Sequence, residues 1–345
     1  MKGPLVVGVD VGGTKVAALV VDGDGVTRGR AVRPMAGRSD DGIEPIIGAI
    51  RAALEAAEVT AAQIGAIGVG VPGRVDTAAG VVGLATNLGW RDLPLAQLIQ
   101  DELGVQCGVE NDVGLAAAGL AGHEVAKGAR SLAYVAVGTG IGAGLVLNGR
   151  LHKGDRGMAG EIGHVIVDPG GALCRCGQQG CLETVASGPF IARRAAALLA
   201  AAGSADGDHP ILRGAQPITA RTVYEAAAAG DPIALAVADE VGRTLARAVE
   251  ALMLTGDLDL VLLGGGVAAA GVTFLDPILD ELERMRTASP LVAAMIPPGS
   301  VRALPAHFDP VAWGGVALAR SLVRAGDPDL HGGTEEEVVA RTSLA

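Results

Sequence analysis

The chain is poor in aromatic residues, with three Phe, two Trp and two Tyr among 345. Rows of base-stacking platforms are thereby excluded. Any core must be built from Ala, Val, Leu and Ile. Positive charge is also short, with 27 Lys and Arg against 38 Asp and Glu, a net −11. A broad basic face is not expected, so no nucleic-acid partner is expected. Cysteine is sparse: Cys107, Cys174, Cys176 and Cys181. The last three crowd into a short stretch, which suits a metal better than a disulfide framework. Long hydrophobic runs are lacking too. Residues 131–149 carry no charge, but Gly138, Gly140, Gly142 and Gly144 interrupt them. That pattern reads as strand, turn, strand rather than a membrane helix. Residues 1–9 meet Asp10 too soon to form a signal-peptide core, so a cytoplasmic protein with no membrane partner is expected.

What is abundant is glycine, 53 residues with no Gly-X-Y period, in a chain that is 50% hydrophobic. This is a folded chain, long enough for two domains. Residues 5–9 (LVVGV) form an apolar run ending at Asp10, followed by VGGTK and then VAALVVD. The same strand–turn–strand grammar recurs about 128 residues later, at 132–147. Helical spacing covers 42–58, a buried strand covers 64–71, and an Ala-rich helix opens at Asn111-Asp112. Helices are predicted at 219–230 and 232–254, the second started by Asp231-Pro232. A strand at 258–263 runs into Gly264-Gly265-Gly266, and a last helix is predicted at 313–325. Residues 202–217 read as a turn-rich excursion and 326–345 as a polar, mobile tail. Alternating strands and helices argue for an α/β protein with two sheets, and a cleft between two such halves is a natural ligand site.

Three glycine turns bear on function. Backbone N–H groups in such turns can converge on phosphate oxygens because no Cβ blocks the approach. They are Gly12-Gly13-Thr14-Lys15, Gly138-Thr139-Gly140 and Gly264-Gly265-Gly266. Each taken alone is equally a tight hairpin. Lys15 lacks P-loop spacing, and the first turn leads into a strand, which argues against a dinucleotide fingerprint. Asp10 beside the first turn would repel phosphate unless Mg²⁺, held through water, sits between them. Its plainer role is to cap the turn.

These residues resemble the ROK family of sugar kinases and sugar-responsive repressors. The resemblance is carried by Asp10-Val-Gly-Gly-Thr-Lys15, the run from Gly138 to Gly144, and Gly160-Glu-Ile-Gly-His164 with the cysteines after it. Val71-Pro-Gly73, Asn87-Leu-Gly-Trp90, Glu110-Asn-Asp112 and Leu263-Gly-Gly-Gly266 extend it over residues 5–325. Glucokinases of that family, including actinobacterial ones, are the nearest match. The resemblance implies a two-domain actin-like (ribonuclease H-like) ATPase fold with a cleft between the domains. The first domain would span 3–119 with a returning helix at 312–326. The second would span 120–311, with a zinc-bound loop at 164–181.

His164, Cys174, Cys176 and Cys181 then make one imidazole and three thiolates, a tetrahedral Zn²⁺ set. All four positions are filled, so the metal is expected to be structural. Arg175 can offset the thiolate charge. A disulfide or plain buried thiols are the alternatives. Cys107 is left over and reads as a core or strand residue.

The resemblance also implies the sugar contacts Asn111, Asp112, Glu161, His164 and Glu183, with Asn87 as a further candidate that could equally be a turn amide. Carboxylates and amides suit adjacent hydroxyls, because they accept from, or accept and donate to, neighbouring groups. His164 would bind Zn²⁺ through one ring nitrogen and the sugar through the other. Asp112 is the expected base, against a plain N-cap role. Gly12, Gly13, Thr14 and Lys15 would meet the β- and γ-phosphates of Mg-ATP, and Gly138, Thr139 and Gly140 would meet phosphates from the other domain. Gly264, Gly265 and Gly266 would lie against the adenosine.

The sequence departs from the family at Val113-Gly114-Leu115-Ala116, where Ala-Asn-Ala-Ala is usual. It departs again at Thr255-Gly-Asp-Leu258, where many relatives carry Asn-Pro. The expected activity is glucokinase, ATP-dependent transfer to glucose. N-acetylmannosamine, fructose, mannose or allose are the alternative hexoses, polyphosphate an alternative donor, and a non-catalytic sugar-binding regulator a different class. A repressor would carry a helix-turn-helix ahead of the first strand, which here starts by Leu5. The family implies a homo-dimer or homo-tetramer.

Overall fold

The structure, a computed structural model, describes residues 3–35, 42–202, 210–215, 217–305 and 308–325. The expected tail lies outside the described residues, as does part of the 202–217 excursion. Contacts divide the chain into two compact units: residues 1–129, 144–158 and 309–345, and residues 130–143 and 159–308.

The chain opens with three antiparallel strands, β1 (Leu5–Val11), β2 (Lys15–Val21) and β3 (Thr27–Pro34). Helix α1 (Glu44–Ala56) leads to β4 (Ile64–Val71). A small antiparallel sheet follows, made of β5 (Arg74–Asp76), β6 (Val81–Ala85) and β7 (Trp90–Leu93). Then come α2 (Leu95–Leu103), β8 (Cys107–Asn111) and α3 (Asp112–Ala121). The first five-stranded sheet has the order β3-β2-β1-β4-β8, with β4 parallel to β1 and to β8.

Alternation along β1 decides what covers this sheet. Val7, Val9 and Val11 pack with Ile46, Ile47 and Ile50 of α1 and Ile99 of α2. Val6 faces the other way, into a core with Ala312, Val316 and Ala319 of the last helix, α11 (Pro310–Ala325). Side chains alternate on a strand, so Gly8 and Asp10 share that second face. The helix lies close: a Cβ on Gly8 would sit 2.0 Å from the Ala312 carbonyl oxygen. Along α3 the approach is similar, and a Cβ on Gly314 would lie 2.1 Å from the Leu115 carbonyl oxygen. Each fully buried Val or Ile contributes about 1.5–3 kcal/mol relative to exposure. That is how a core nearly without aromatics holds.

The second five-stranded sheet has the order β11-β10-β9-β12-β13. Its strands are β9 (Leu132–Val137), β10 (Ile141–Leu147), β11 (Arg150–His152), β12 (Leu260–Gly264) and β13 (Val301–Ala303). Strand β12 is parallel to both β9 and β13. The order mirrors that of the first sheet, and the repeated strand–turn–strand grammar falls at β1–β2 in one and β9–β10 in the other. Between β11 and β12 lie α4 (Glu183–Ala186), α5 (Gly188–Ala202), α6 (Pro210–Gly214), α7 (Ala220–Ala228) and α8 (Pro232–Gly256). After β12 come α9 (Val272–Ala288) and α10 (Pro290–Met295). The Asp231 carboxylate accepts from the Ile233 and Ala234 N–H groups, so Asp231-Pro232 starts α8 as expected. Among the described residues no helix is long and apolar enough to cross a membrane.

Three expectations need correction. The last helix begins at Pro310, not 312 or 313, because the Asp309 carboxylate caps it by accepting from the Ala312 N–H. The 202–217 segment is not all turn, since it contains α6. The helical stretch opening at Asn111-Asp112 takes its N-cap from Asn111, so the plain capping reading of Asp112 fails.

Candidate active site

In the first unit the site residues gather where strands end and helices begin. The first glycine turn is closed by the Gly12 N–H donating to the Lys15 carbonyl at 2.9 Å. Asp10 precedes it on the face of β1 that meets α11. In the sheet Asp10 pairs with Gly70, and a Cβ on Gly70 would lie 2.3 Å from Val311 Cγ1 and 3.5 Å from Asp112 Cα. The starts of α3 and α11 therefore converge beside Asp10. Burial, then the charges of Asp309 and Asp112, push the Asp10 carboxyl up to about 8, with Lys15 pulling the other way. A carboxylate held this way gains from a divalent cation. Asp309 is a charged neighbour that the sequence reading missed; its signal was the Asp-Pro start of α11.

Strand β8 delivers Glu110, Asn111 and Asp112 to this end of the sheet. Asn111 Oδ1 accepts from the Gly114 N–H at 3.0 Å, and its Nδ2 donates to the Gly73 carbonyl at 3.0 Å. The unusual Gly114 therefore donates to the cap. Asp112, the first residue of α3, accepts from the Val113 N–H at 2.9 Å. Asn87 lies near the first glycine turn: a Cβ on Gly13 would be 4.0 Å from its own. Cys107 opens β8 as a core residue, and burial pushes its thiol up to about 12.

In the second unit the other two glycine turns line one cavity of about 400 Å³. Gly138, Thr139 and Gly266 contribute to it, together with Pro189, Ile218 and Arg221, three residues no sequence motif marked. A larger cavity of about 650 Å³ shares Pro189, Ala192 and Ile218 with it but contains none of the glycine turns. The smaller one is the candidate nucleotide site, because two glycine turns line it and no Cβ there blocks the approach of a phosphate. Gly265 has φ +89°, and a Cβ there would fall 2.4 Å from the Val137 carbonyl oxygen, so only glycine fits this turn. Gly264 ends β12 and is buried.

Glu183, buried at the start of α4, ties this region to the cysteine loop. Its Oε2 accepts from the Ile141 N–H at 3.1 Å, just after Gly140, and its Oε1 lies 3.9 Å from the Arg175 guanidinium. In the loop, His164, Cys174, Cys176 and Cys181 bring their ligand atoms within 4.8 Å of one another. Cys176 Sγ and Cys181 Sγ are 3.6 Å apart, and Cys174 Sγ is 3.7 Å from His164 Nδ1. Ligands about 2.3 Å from a tetrahedral zinc stand roughly 3.8 Å apart, so the spacing fits that ion. No disulfide joins any of the four cysteines, which speaks against the disulfide alternative. The Gln178 backbone N–H lowers the Cys176 thiol and burial raises that of Cys181. With Nδ1 toward the thiols, His164 Nε2 points to Glu161 at 3.9 Å.

The sequence-predicted residues thus form two sets. Asp10, Gly12, Gly13, Thr14, Lys15, Asn87, Asn111 and Asp112 belong to the first unit. Gly138, Thr139, Gly140, Glu161, His164, Glu183, Gly264, Gly265, Gly266 and the three cysteines belong to the second.

Comparison with known proteins bears on what these sets do. The model of the ROK family matches residues 6–299. A glucokinase of Halalkalibacterium halodurans is 37% identical over 288 residues, covering 80% of this chain and 84% of that one. An N-acetylmannosamine kinase of Yersinia pseudotuberculosis is 33% identical over 275 residues, covering 79% and 86%. Among solved structures, a ROK family glucokinase from Streptomyces griseus in complex with glucose and AMPPNP superposes with a TM-score of 0.76 at 31% identity. That match covers 92% of this chain and 99% of the other.

Proposed function

The chain belongs to the ROK family and is a sugar kinase, and from that premise we propose that it transfers the γ-phosphoryl group of Mg-ATP to the 6-hydroxyl of glucose, with Asp112 as base. The observation that carries the mechanism is the closeness of Asp112 to Asp10 in the first unit, where the Asp112 charge raises the Asp10 carboxyl. A base at Asp112 would then stand beside the turn proposed to hold phosphate.

Asn87, Asn111, Glu161, His164 and Glu183 would orient the sugar hydroxyls. Asp112 would take the proton of the attacking hydroxyl late, as a loose phosphoryl transition state allows. The turn that Gly12 closes, with the N–H groups of Gly13 and Thr14 and with Lys15, would hold the β- and γ-phosphates. Gly138, Thr139 and Gly140 would hold phosphate oxygens in the second unit, with the adenosine against Gly264, Gly265 and Gly266. Mg²⁺ would offset the repulsion between Asp10 and the phosphates. A zinc ion held by His164, Cys174, Cys176 and Cys181 would fix the loop and, through Nδ1, leave His164 Nε2 for a sugar hydroxyl.

Glucose rests on the glucokinase relative and the glucose-bound structure. N-acetylmannosamine is the second reading, favoured by the Yersinia relative. One substituent on the ring changes affinity through a few contacts. The test is ADP release with Mg-ATP against glucose, mannose, fructose, N-acetylmannosamine and N-acetylglucosamine. Glucose is expected to give the highest kcat/KM, and Asp112→Asn to lower kcat by about 10²–10⁴. Turnover only with another hexose overturns the substrate. No turnover in folded, zinc-loaded protein overturns the reaction.

A further inference from the structure

One buried charge in the first unit is used by none of the steps above. Glu110 precedes the sugar-facing pair Asn111-Asp112, and its side chain is 10% exposed. Both of its oxygens are engaged. Oε1 accepts from the Asn111 N–H at 2.9 Å, and Oε2 accepts from Thr77 Oγ1 at 2.9 Å and from Lys153 Nζ. Lys153 also donates to Thr77 Oγ1 at 3.2 Å, closing a triangle. Three separate stretches meet here: the end of β5, the end of β8, and the loop after β11.

We propose that Lys153, through Glu110 and Thr77, is a positioning residue for the sugar. It holds the β5–β7 sheet, which carries Asn87, in register with the β8–α3 turn, which carries Asn111 and Asp112. The inference rests on the sugar-kinase reading of this site. Glu110 acts on the sugar indirectly, since its carboxylate already accepts from Asn111, Thr77 and Lys153. What it does is set the backbone: its Oε1 fixes the Asn111 N–H where strand becomes helix. A second tie, Asn111 Nδ2 to the Gly73 carbonyl, joins the same two segments. Asn111 therefore reaches the sugar pocket with its amide orientation set from both sides. Lys153 is the cation that lets a buried carboxylate sit at this junction. Without it Glu110 is a buried charge with one neutral donor and one backbone N–H, and the junction must open toward water. The phosphate turn between β1 and β2 takes no part in the triangle, so the effect falls on sugar and not on nucleotide.

The experiment compares Lys153→Met, Lys153→Arg and Thr77→Val with the parent protein. It reads the KM for sugar, the KM for Mg-ATP, kcat, and sugar affinity by calorimetry. Lys153→Met is expected to raise the sugar KM and Kd about tenfold, with the ATP KM unchanged. Lys153→Arg, which keeps the charge, restores most of the loss, and Thr77→Val, which deletes one hydroxyl, raises the sugar KM about twofold to threefold. A general loss of folded protein would instead lower kcat at unchanged KM. Sugar KM and Kd unchanged in Lys153→Met overturn the proposal, as does an equal rise in both KM values. Should Lys153→Met fail to fold at assay temperature, Thr77→Val and Lys153→Arg carry the same test. A parent protein that binds sugar without turning it over retires the kinase reading alone, and calorimetry on the variants still decides the role of Lys153.

Discussion

Asp10 is a carboxylate in a place that resists ionisation. Burial dominates, and Asp309 and Asp112 add like charge. Its folded value near 8 lies above the ordinary 3.8, so between these values the native chain holds a proton the unfolded chain has lost. The resulting stabilisation is complete below about 3.8 and fades as pH rises through about 8. In buffer free of divalent cations, Asp10→Asn is therefore expected to melt above the parent at pH 8. The gap should close as pH falls toward 5. Calorimetric melting temperatures across that range check this, and a gap independent of pH refutes the electrostatic account. At this scale the sequence exposed Asp10, because it follows an apolar strand and precedes VGGTK. It did not expose Asp309, some 300 residues away, because only the sheet–helix packing brings the two together.

Among elements, α11 shows what small residues are for. It lies on β1 and β4 and against α3 through glycines. A Cβ on Gly119 would come 2.5 Å from Gly314 Cα, and one on Gly68 2.1 Å from the Gly315 carbonyl oxygen. Gly314→Ala drives a methyl into the Leu115 carbonyl, where only backbone can yield. It is expected to destabilise the protein by about 1–3 kcal/mol, seen as a lower urea midpoint at unchanged m. Elements with a strong period were readable: β4, α8 and β12 lie where the apolar runs and the Asp231-Pro232 start put them. The sheet of β5, β6 and β7 was not, since RVD, VVGLA and WRDL are too short for alternation to show. Strand β3 was missed for another reason. TRGRAVRP is an edge strand, mostly exposed, whose pairing with β2 is made by backbone groups that leave no side-chain pattern.

For the whole molecule, the cysteine loop is the feature that brings together the second unit's proposed sugar contacts. Ile166 bridges to Cys181, and the Leu182 N–H donates to the Val165 carbonyl at 2.8 Å, so the stretch closes on itself around the four ligands. Glu161, His164 and Glu183 flank that closure. Removal of zinc with a strong chelator, or Cys181→Ser, is expected to raise the sugar KM at least about tenfold and to lower the melting temperature. Metal content measured beside the kinetics checks it: full sugar affinity in zinc-free protein would show that the loop holds its shape unaided.

The sequence by itself determined the class of protein. Glycine turns after apolar strands, the H-x9-C-x-C-x4-C order and the Glu-Asn-Asp run are local patterns, each legible because its chemistry depends on neighbours in the chain. Only the tertiary structure decided what those groups feel. That Asp10 meets Asp309, that Asn111 rather than Asp112 caps α3, and that Glu110 is held by Thr77 and Lys153 are facts of packing. Burial and charge act through space, and residues distant in the chain supply them.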